Sequence, residues 1–226
     1  MARISAWRRR ALARQVATIF ANVLIASVDL FPILWGLSSS LKPSAQIAEF
    51  PPRLVPREVT LEHYGRIVGD NAIYYMFNSI AVSAAAVLLA LSVGALAAYA
   101  LARFEFRGRS TTMILTVAIM SIPIASLLVP TFTLLSTVGL LDTRLGLVLL
   151  YAAYQLPVVI WMLYGYFLSL PVEIEKAARI DGYSPFATLR KVVLPLSRPG
   201  LVASALFVLV FAWNDFVVAV TMTSSE

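Results

Sequence analysis

Long apolar stretches constrain this chain more than any other feature of its sequence. Each is about 20 residues long or more, the length that a helix needs to cross roughly 30 Å of hydrocarbon. Charged residues make up 13% of the 226 positions, too few to cover a soluble domain in which 60% of residues are hydrophobic. The pattern predicts an all-α, polytopic membrane protein in a lipid bilayer, with five transmembrane helices at about 16–37, 74–102, 111–137, 147–168 and 201–221.

The first apolar stretch follows an arginine-rich arm that contains Arg3, Arg8, Arg9, Arg10 and Arg14. A secretory signal peptide also begins with a basic arm, but its apolar region spans only about 7–15 residues, so we interpret this stretch as a retained membrane helix. The net charge of +6 does not indicate nucleic-acid binding, because the basic residues flank the apolar stretches instead of forming one patch. The absence of cysteine excludes disulfides, thiolate metal sites and cysteine nucleophiles.

The distribution of basic residues predicts the orientation of the chain. The N-terminal arm, the turn at 103–109 and the polar segment 169–200 hold 13 of the 18 Lys and Arg residues. Because loops rich in Lys and Arg stay on the cytoplasmic side, the N-terminus and segment 169–200 are predicted to be cytoplasmic. The loop at 41–70, with one short helix at about 61–68, then lies on the opposite side. Its His63 is predicted to be a surface residue and not a metal ligand.

The third and fourth apolar stretches contain prolines. Pro123 and Pro130 lie in the third stretch, and Pro157 lies in the fourth. Each removes a backbone donor and kinks a helix unless its neighbours compensate. We therefore expect the third helix to lie within a bundle or beside a cavity.

Segment 169–200 is predicted to form two helices joined by a glycine turn. Glu173 and Glu175 suit the start of the first helix, and Gly182 suits the left-handed residue that closes it. Ile174, Ala177 and Ala178 form its predicted apolar face. Ser184-Pro185 then reads as an N-cap and first-turn proline of a second helix, which ends at Pro195. The pattern alone is compatible with an amphipathic linker on the membrane surface or with a docking element for a cytoplasmic partner.

A specific motif lies in this segment. The run Glu175-Lys176-Ala177-Ala178-Arg179-Ile180-Asp181-Gly182 is followed, after nine residues, by Val192-Val193-Leu194-Pro195. It resembles the EAA loop of ABC importer permeases, although Lys176 occupies the position of the motif's glutamate and Val192 replaces isoleucine. Further runs are similar to the carbohydrate-uptake group, which includes the smaller membrane subunit of the maltose importer: Asn78-Ser79, Ala97-Ala98-Tyr99-Ala100 with Arg103, Phe106 and Gly108, Gly139-Leu140-Leu141-Asp142-Thr143 and Trp213-Asn214-Asp215-Phe216.

The resemblance implies a type I ABC importer permease fold over the whole chain, 1–226, as a single transmembrane domain. Such permeases usually have six crossings, so five would leave the sixth absent, as in a truncated chain. The implied partners are a second permease subunit, two cytoplasmic ATPase subunits and an extracytoplasmic solute-binding protein. The chain would carry no cofactor and no ATPase site of its own, since ATP and Mg are bound by the ATPase subunits, and the sequence has no phosphate-binding loop. The implied solute is a sugar, and the implied location is the inner membrane.

Two sets of site residues follow. The resemblance implies that the loop docks on the ATPase through Glu175, Ala177, Ala178, Asp181, Gly182, Ser184, Pro185, Phe186, Leu189, Leu194 and Pro195. Polar residues within the apolar stretches are candidates for lining the solute pathway or, alternatively, for joining helices by hydrogen bonds: Asn78, Gln155, Asn214 and Asp215. Asp29, in the first stretch, has either a functional or a structural role. The competing functions are a permease for a sugar phosphate or polyol, a self-sufficient channel or secondary transporter, and a purely structural membrane scaffold.

Overall fold

The computed structural model describes residues 2–223, and it describes side chains at residue 12 and from residue 14 onward. All regular secondary structure in this part of the chain is helical. The chain forms two compact units, Met1–Tyr74 and Tyr75–Glu226. The arginine side chains at positions 3, 8, 9 and 10, on which part of the predicted orientation rests, lie outside the described residues.

The first unit consists of one long helix and a compact loop. Helix α1 (Ala2–Ser40) contains the predicted first crossing, and α2 (Ser44–Ile47) and α3 (Glu62–Gly69) lie in the loop. The loop folds back on itself, because the Thr60 N–H donates to the Leu41 carbonyl at 2.9 Å. His63 also takes part, with Nε2 2.9 Å from the Lys42 carbonyl oxygen. His63 is thus a partly exposed residue that also helps to close this loop.

The second unit is a helical bundle with two long helices and several short ones. Its helices are α4 (Ala72–Arg103), α5 (Arg109–Met120), α6 (Ile124–Thr137), α7 (Arg144–Ser169), α8 (Val172–Ile180), α9 (Pro185–Leu196), α10 (Arg198–Asn214) and α11 (Val217–Met222). By length and apolarity, three helices of the described chain suit a membrane crossing, namely the Arg14–Ser40 part of α1, α4 and α7. The total becomes five if the bent pairs α5–α6 and α9–α10 each count as one span.

The third apolar stretch is not the single kinked helix that was predicted. Helix α5 ends at Met120, α6 begins at Ile124, and their axes differ by 101°. Pro123 precedes α6 with an extended backbone (φ −62°, ψ 128°) and has no N–H to continue the ladder of α5. Pro130 and Pro157, in contrast, stay inside continuous helices. One proline thus breaks the stretch completely.

The fifth apolar stretch is also interrupted. Helix α10 ends at Asn214, Asp215 adopts an extended conformation (φ −79°, ψ 114°), and α11 follows from Val217. A continuous helix over 201–221 was therefore a wrong prediction. The break coincides with a polar side chain that finds its hydrogen-bond partner on another helix, as described below.

The second loop helix does not end at Pro195, as the sequence suggested. Residues Leu189–Val193 form a π turn in which the Leu194 N–H bonds the Leu189 carbonyl, five residues back. Ordinary α-helical bonding then resumes, with the Ser197 N–H 2.9 Å from the Val193 carbonyl oxygen. Pro195 falls at this change of register, where its missing N–H is accommodated. The chain turns only at Ser197, and α9 and α10 are bent by 82°.

Two apolar clusters hold the second unit together. The first joins α4, α7, α9 and α10 through Ala90, Ala95, Ala98, Tyr99, Ala102, Ala152, Val159, Leu163, Phe167, Leu189, Val193 and Val208. The second joins α4, α6, α7, α10 and α11 through Val82, Ala86, Leu135, Leu150, Tyr151, Ala212, Val218 and Met222. Helix α4 contributes mainly alanines, which allow close approach of neighbouring membrane helices. The α8–α9 segment is therefore attached directly to the membrane helices.

Candidate functional site

The turn between α8 and α9 has the geometry that its sequence predicts. Gly182 closes α8 at φ +87°, a conformation that residues with a Cβ adopt only with strain. Ser184 caps α9, because its Oγ accepts from the Ala187 N–H at 3.2 Å, and Pro185 occupies the first turn. Pro171 is the N-cap of α8. The segment is thus two rigid, capped helices.

The buried face of α8 differs from the predicted one. Its buried residues are Glu175 and Ala178, whereas Ile174 is 40% exposed and Ala177 is exposed as well. The helix is rotated so that a carboxylate, and not an isoleucine, faces the membrane helices. This rotation follows from the partners that Glu175 finds there.

Both carboxylate oxygens of Glu175 are bound by side chains of α4. Oε1 lies 2.6 Å from Arg103 Nε, and Oε2 accepts from the Tyr99 hydroxyl at 2.9 Å. Arg103 also donates through Nη2 to the carbonyl of Leu170, the residue that follows α7, at 3.1 Å. The Arg103 and Glu175 side chains are only 6% and 5% exposed. One arginine therefore holds the ends of α4 and α7 together with the middle of α8.

Aromatic rings pack beside this ion pair, through Tyr99. The Tyr99 ring packs edge-on against Phe104 and Phe167, with centroids 6.0 and 6.1 Å apart. Burial of the two charges strengthens their attraction and raises the cost of losing one partner. We name Tyr99, Arg103 and Glu175 the loop anchor.

The remaining predicted docking residues divide between two faces of the segment. Ala178 and Leu189 are buried, and Leu194 is partly buried. The exposed ones are Ala177, Asp181, Gly182, Ser184, Pro185, Phe186 and Pro195. The structure thus places Glu175, Ala178 and Leu189 toward the chain's own helices, away from any partner.

The exposed face carries an apolar tip with positive charge beside it. Ile180 is 86% exposed and Phe186 is 62% exposed, although both are large apolar side chains. The Lys191 ammonium lies 5.0 Å from the centre of the Tyr183 ring, a cation–π contact at the same end of the segment. An exposed aromatic residue on a short, capped helix suits insertion into a groove of another protein.

The four candidate pathway residues do not form one cluster. Asp215 accepts from the Tyr151 hydroxyl at 3.0 Å, and Gln155, 7% exposed, lies one turn from Tyr151 on α7. Asn214 is exposed and donates to the Val210 carbonyl of its own helix at 2.8 Å. Asn78 is partly buried on α4. The structure therefore brings Asp215 to the α7 face that carries Tyr151 and Gln155.

Asn214 also borders a largely apolar groove of about 410 Å³ between α4 and α10, lined by Ile80, Ala84, Leu209, Val210, Trp213 and Asn214. Within the described residues, no group of three or more His, Cys, Asp or Glu side chains is placed to hold a metal ion.

Sequence reasoning missed the loop anchor because its members are far apart in the chain. Arg103 and Glu175 are 72 positions apart, and neither lies in a periodic pattern that includes the other. One signal was present: Arg103 is the last residue of an otherwise apolar helix, a position where a basic side chain can reach a neighbouring polar group.

Comparison with known proteins relates the chain to transport systems. Residues 90–226 match the family described as binding-protein-dependent transport system inner membrane component. The trehalose transport system permease protein SugB of Mycobacterium tuberculosis is 38% identical, over 91% of this chain and 74% of that protein. The trehalose/maltose transport system permease protein MalG of Thermococcus litoralis is 34% identical, over 96% of this chain and 79% of that protein.

A solved structure has the same fold. It is the crystal structure of a bacterial ABC transporter involved in the import of the acidic polysaccharide alginate, and the match has a TM-score of 0.79 at 26% identity. The match covers 93% of this chain and 74% of the other. The all-α, multi-pass permease architecture predicted from the sequence is thereby confirmed.

Proposed function

The chain belongs to the family of binding-protein-dependent transport system inner membrane components, and on this basis we propose that it is the permease subunit of an ATP-driven sugar importer. The observation that carries the proposal is the α8–α9 segment, whose capped helices expose Phe186 while their other face is attached to the membrane helices. Two relatives, a trehalose and a trehalose/maltose transport system permease protein, support a sugar as the solute.

The proposal includes partners and an orientation. A second permease subunit completes the pathway, an extracytoplasmic binding protein delivers the solute, and two cytoplasmic ATPase subunits bind ATP and Mg. This chain has no cofactor and no ATPase site. The N-terminus and segment 169–200 lie in the cytoplasm, as the distribution of Lys and Arg favours.

The α8–α9 segment transmits movement from the ATPase to the pathway. Its exposed residues, with Phe186 at the tip, contact the ATPase, and closure of the ATPase subunits displaces α9. Because Gly182 and Ser184 fix the turn, α8 and α9 move together and do not absorb the displacement. The buried face then carries the movement into the membrane helices.

The pathway residues form the second part of the proposal. Breaks in membrane helices leave backbone groups unpaired, and such breaks are tolerated where they lie inside the protein or line a water-filled cavity. We propose that the break at Asp215 lines the path, because a carboxylate and the Tyr151 hydroxyl lie there. Asn78, Gln155 and Asn214 are proposed to line the same path.

Uptake by the reconstituted complex tests the docking proposal. Proteoliposomes that contain this chain with its partner permease, ATPase subunits and binding protein are assayed for ATP-driven uptake of labelled trehalose. Phe186→Ala removes the exposed aromatic side chain. Loss of such a side chain from an interface typically costs about 2 kcal/mol of binding free energy, so uptake should fall by more than roughly tenfold. Phe207→Ala is the matched control, because Phe207 is 59% exposed on α10, outside the loop.

Three results would contradict parts of this proposal. Undiminished uptake with Phe186→Ala would show that the tip does not dock. Uptake by this chain alone, driven by a gradient and indifferent to ATP, would favour a channel or secondary transporter. Uptake of a sugar phosphate or polyol in preference to trehalose and maltose would keep the importer but change its solute.

A further inference from the structure

We infer that Arg103 and Glu175 are positioning residues for energy coupling: their buried pair makes α8 follow α4 and α7, so that displacement of the loop reaches the membrane helices. The role in coupling rests on the proposed function, whereas the attachment itself is a property of this chain alone. Neither residue is required to touch the solute or the ATPase.

The loop anchor joins three helices through charged groups. Arg103 contacts Glu175 of α8 at 2.6 Å and the carbonyl of Leu170 at the end of α7 at 3.1 Å, while itself being the last residue of α4. Hydrogen bonds to charged groups are shorter, stronger and more directional than apolar contacts. An arginine guanidinium has a rigid fork of donors, so it fixes the angles between its partners as well as their distance.

Burial of the Arg103–Glu175 pair costs desolvation free energy. Two charges that are 6% and 5% exposed have lost most of their hydration, and an apolar pair of similar volume at such a position is often equally stable. Stability alone therefore does not account for the pair. The directionality of its hydrogen bonds accounts for the pair, because an apolar contact would allow α8 to rotate or slide against α4 when α9 is displaced.

The loop anchor differs from the exposed ion pairs of the chain. Arg66 and Glu62 lie within one helix, with side chains 65% and 58% exposed. Such a pair is screened by water and holds no second element. The loop anchor instead links residues 72 positions apart, and Tyr99 takes the second oxygen of the same carboxylate.

Helix α8 also supplies a matched control. Glu173 lies two positions before Glu175 and is exposed, whereas Glu175 is buried. Glu173→Gln removes the same charge from the same helix without touching the loop anchor. Any effect specific to Glu175→Gln is therefore not a general effect of charge near the membrane surface.

A spin-label measurement tests the attachment. The chain has no cysteine, so cysteines introduced at Ile180 on α8 and Leu88 on α4, both strongly exposed, label two sites without background. The distribution of distances between the labels is measured on the full chain in lipid nanodiscs. We expect Glu175→Gln and Arg103→Gln each to broaden it, and Glu173→Gln to leave it unchanged.

The same variants are then assayed in the reconstituted complex for solute taken up per ATP hydrolysed. Loss of a hydrogen bond between charged groups shifts an equilibrium by roughly tenfold or more, so uptake per ATP should fall by about that factor with Glu175→Gln. ATP hydrolysis should persist. Glu173→Gln should leave the solute uptake per ATP hydrolysed unchanged.

The double variant Arg103→Met/Glu175→Leu guards against the possibility that single variants fail to fold. It leaves no uncompensated buried charge and should therefore fold. Because it lacks the directional bonds, it should still show a broad distribution of label distances and a low solute uptake per ATP hydrolysed. A narrow distribution in this variant, or an unchanged ratio of uptake to ATP, would overturn the inference. If the unmodified complex shows no ATP-driven uptake, the proposed function fails, while the label distances still decide whether the attachment exists.

Discussion

The close approach of α4 and α7 at Gly94 leads to a quantitative prediction about stability. A Cβ added at Gly94 would lie 2.5 Å from Val159 Cγ1 and 3.2 Å from Val159 Cβ, well inside van der Waals contact. Val159 is fully buried in the first apolar cluster. Gly94→Ala is therefore predicted to force the two helices apart or to strain the valine.

The magnitude follows from three effects. Overpacking of a close-packed core costs about 1–3 kcal/mol, and alanine in place of glycine inside a helix returns up to about 1 kcal/mol. Gly94→Ala should therefore destabilise the chain by about 1 kcal/mol. Val159→Ala removes two methyl groups and leaves a small cavity, which we expect to cost about 2 kcal/mol.

The double variant decides whether the contact is the cause. In Gly94→Ala/Val159→Ala the new methyl group enters the space that Val159 Cγ1 has left, and the gain in helix propensity is kept. We expect a total cost of about 1 kcal/mol, against an additive value of about 3 kcal/mol, which is a coupling free energy of about 2 kcal/mol.

Reversible unfolding of the full chain in mixed micelles, followed by circular dichroism as the fraction of denaturing detergent rises, measures these differences. Gly165→Ala serves as the control, because nothing lies within 4 Å of a Cβ at Gly165 on α7. It should be neutral or stabilising by up to about 1 kcal/mol. Additivity of the two substitutions within about 0.5 kcal/mol would refute the proposed close packing at Gly94.

Two further substitutions test local features of the second unit. Gly182→Ala places a side chain at φ +87°, which should cost about 1–2 kcal/mol and loosen the α8–α9 turn; faster proteolysis after residue 182 would report it, and unchanged proteolysis would contradict the role of the turn. Tyr151→Phe keeps the edge-on contact with Phe211 but removes the hydrogen bond to Asp215, so the same unfolding titration should show a loss of about 1–2 kcal/mol, whereas unchanged stability would mean that this bond contributes nothing.

Local chemistry made the turn between the two loop helices predictable. A left-handed backbone requires Gly182, and an orphan N–H at the start of α9 requires an acceptor such as Ser184 Oγ. These requirements act over three or four residues, so the sequence contains all the groups involved. The apolar stretches were predictable for a similar reason, since length and polarity alone decide whether a segment can enter a bilayer.

The interruptions of the membrane helices were not predictable from local chemistry. Pro123 precedes a new helix whereas Pro130 and Pro157 lie inside continuous helices, although all three lack the backbone N–H. At Asp215 the extended residue depends on Tyr151, which is 64 positions earlier. A sequence pattern with a period of a few residues carries no information about partners at that distance.

The loop anchor extends this argument to the site itself. Glu175 and Lys176 are neighbours in the motif, yet Glu175 is buried against Arg103 and Lys176 is exposed. A basic residue at position 175 would place a second positive charge against a buried arginine, which the fold could not tolerate. At position 176 the same change affects only the surface that we propose faces the ATPase. Lys176 in place of the motif's glutamate therefore leaves the attachment of the loop intact. It changes only the charge of the surface that we propose faces the ATPase.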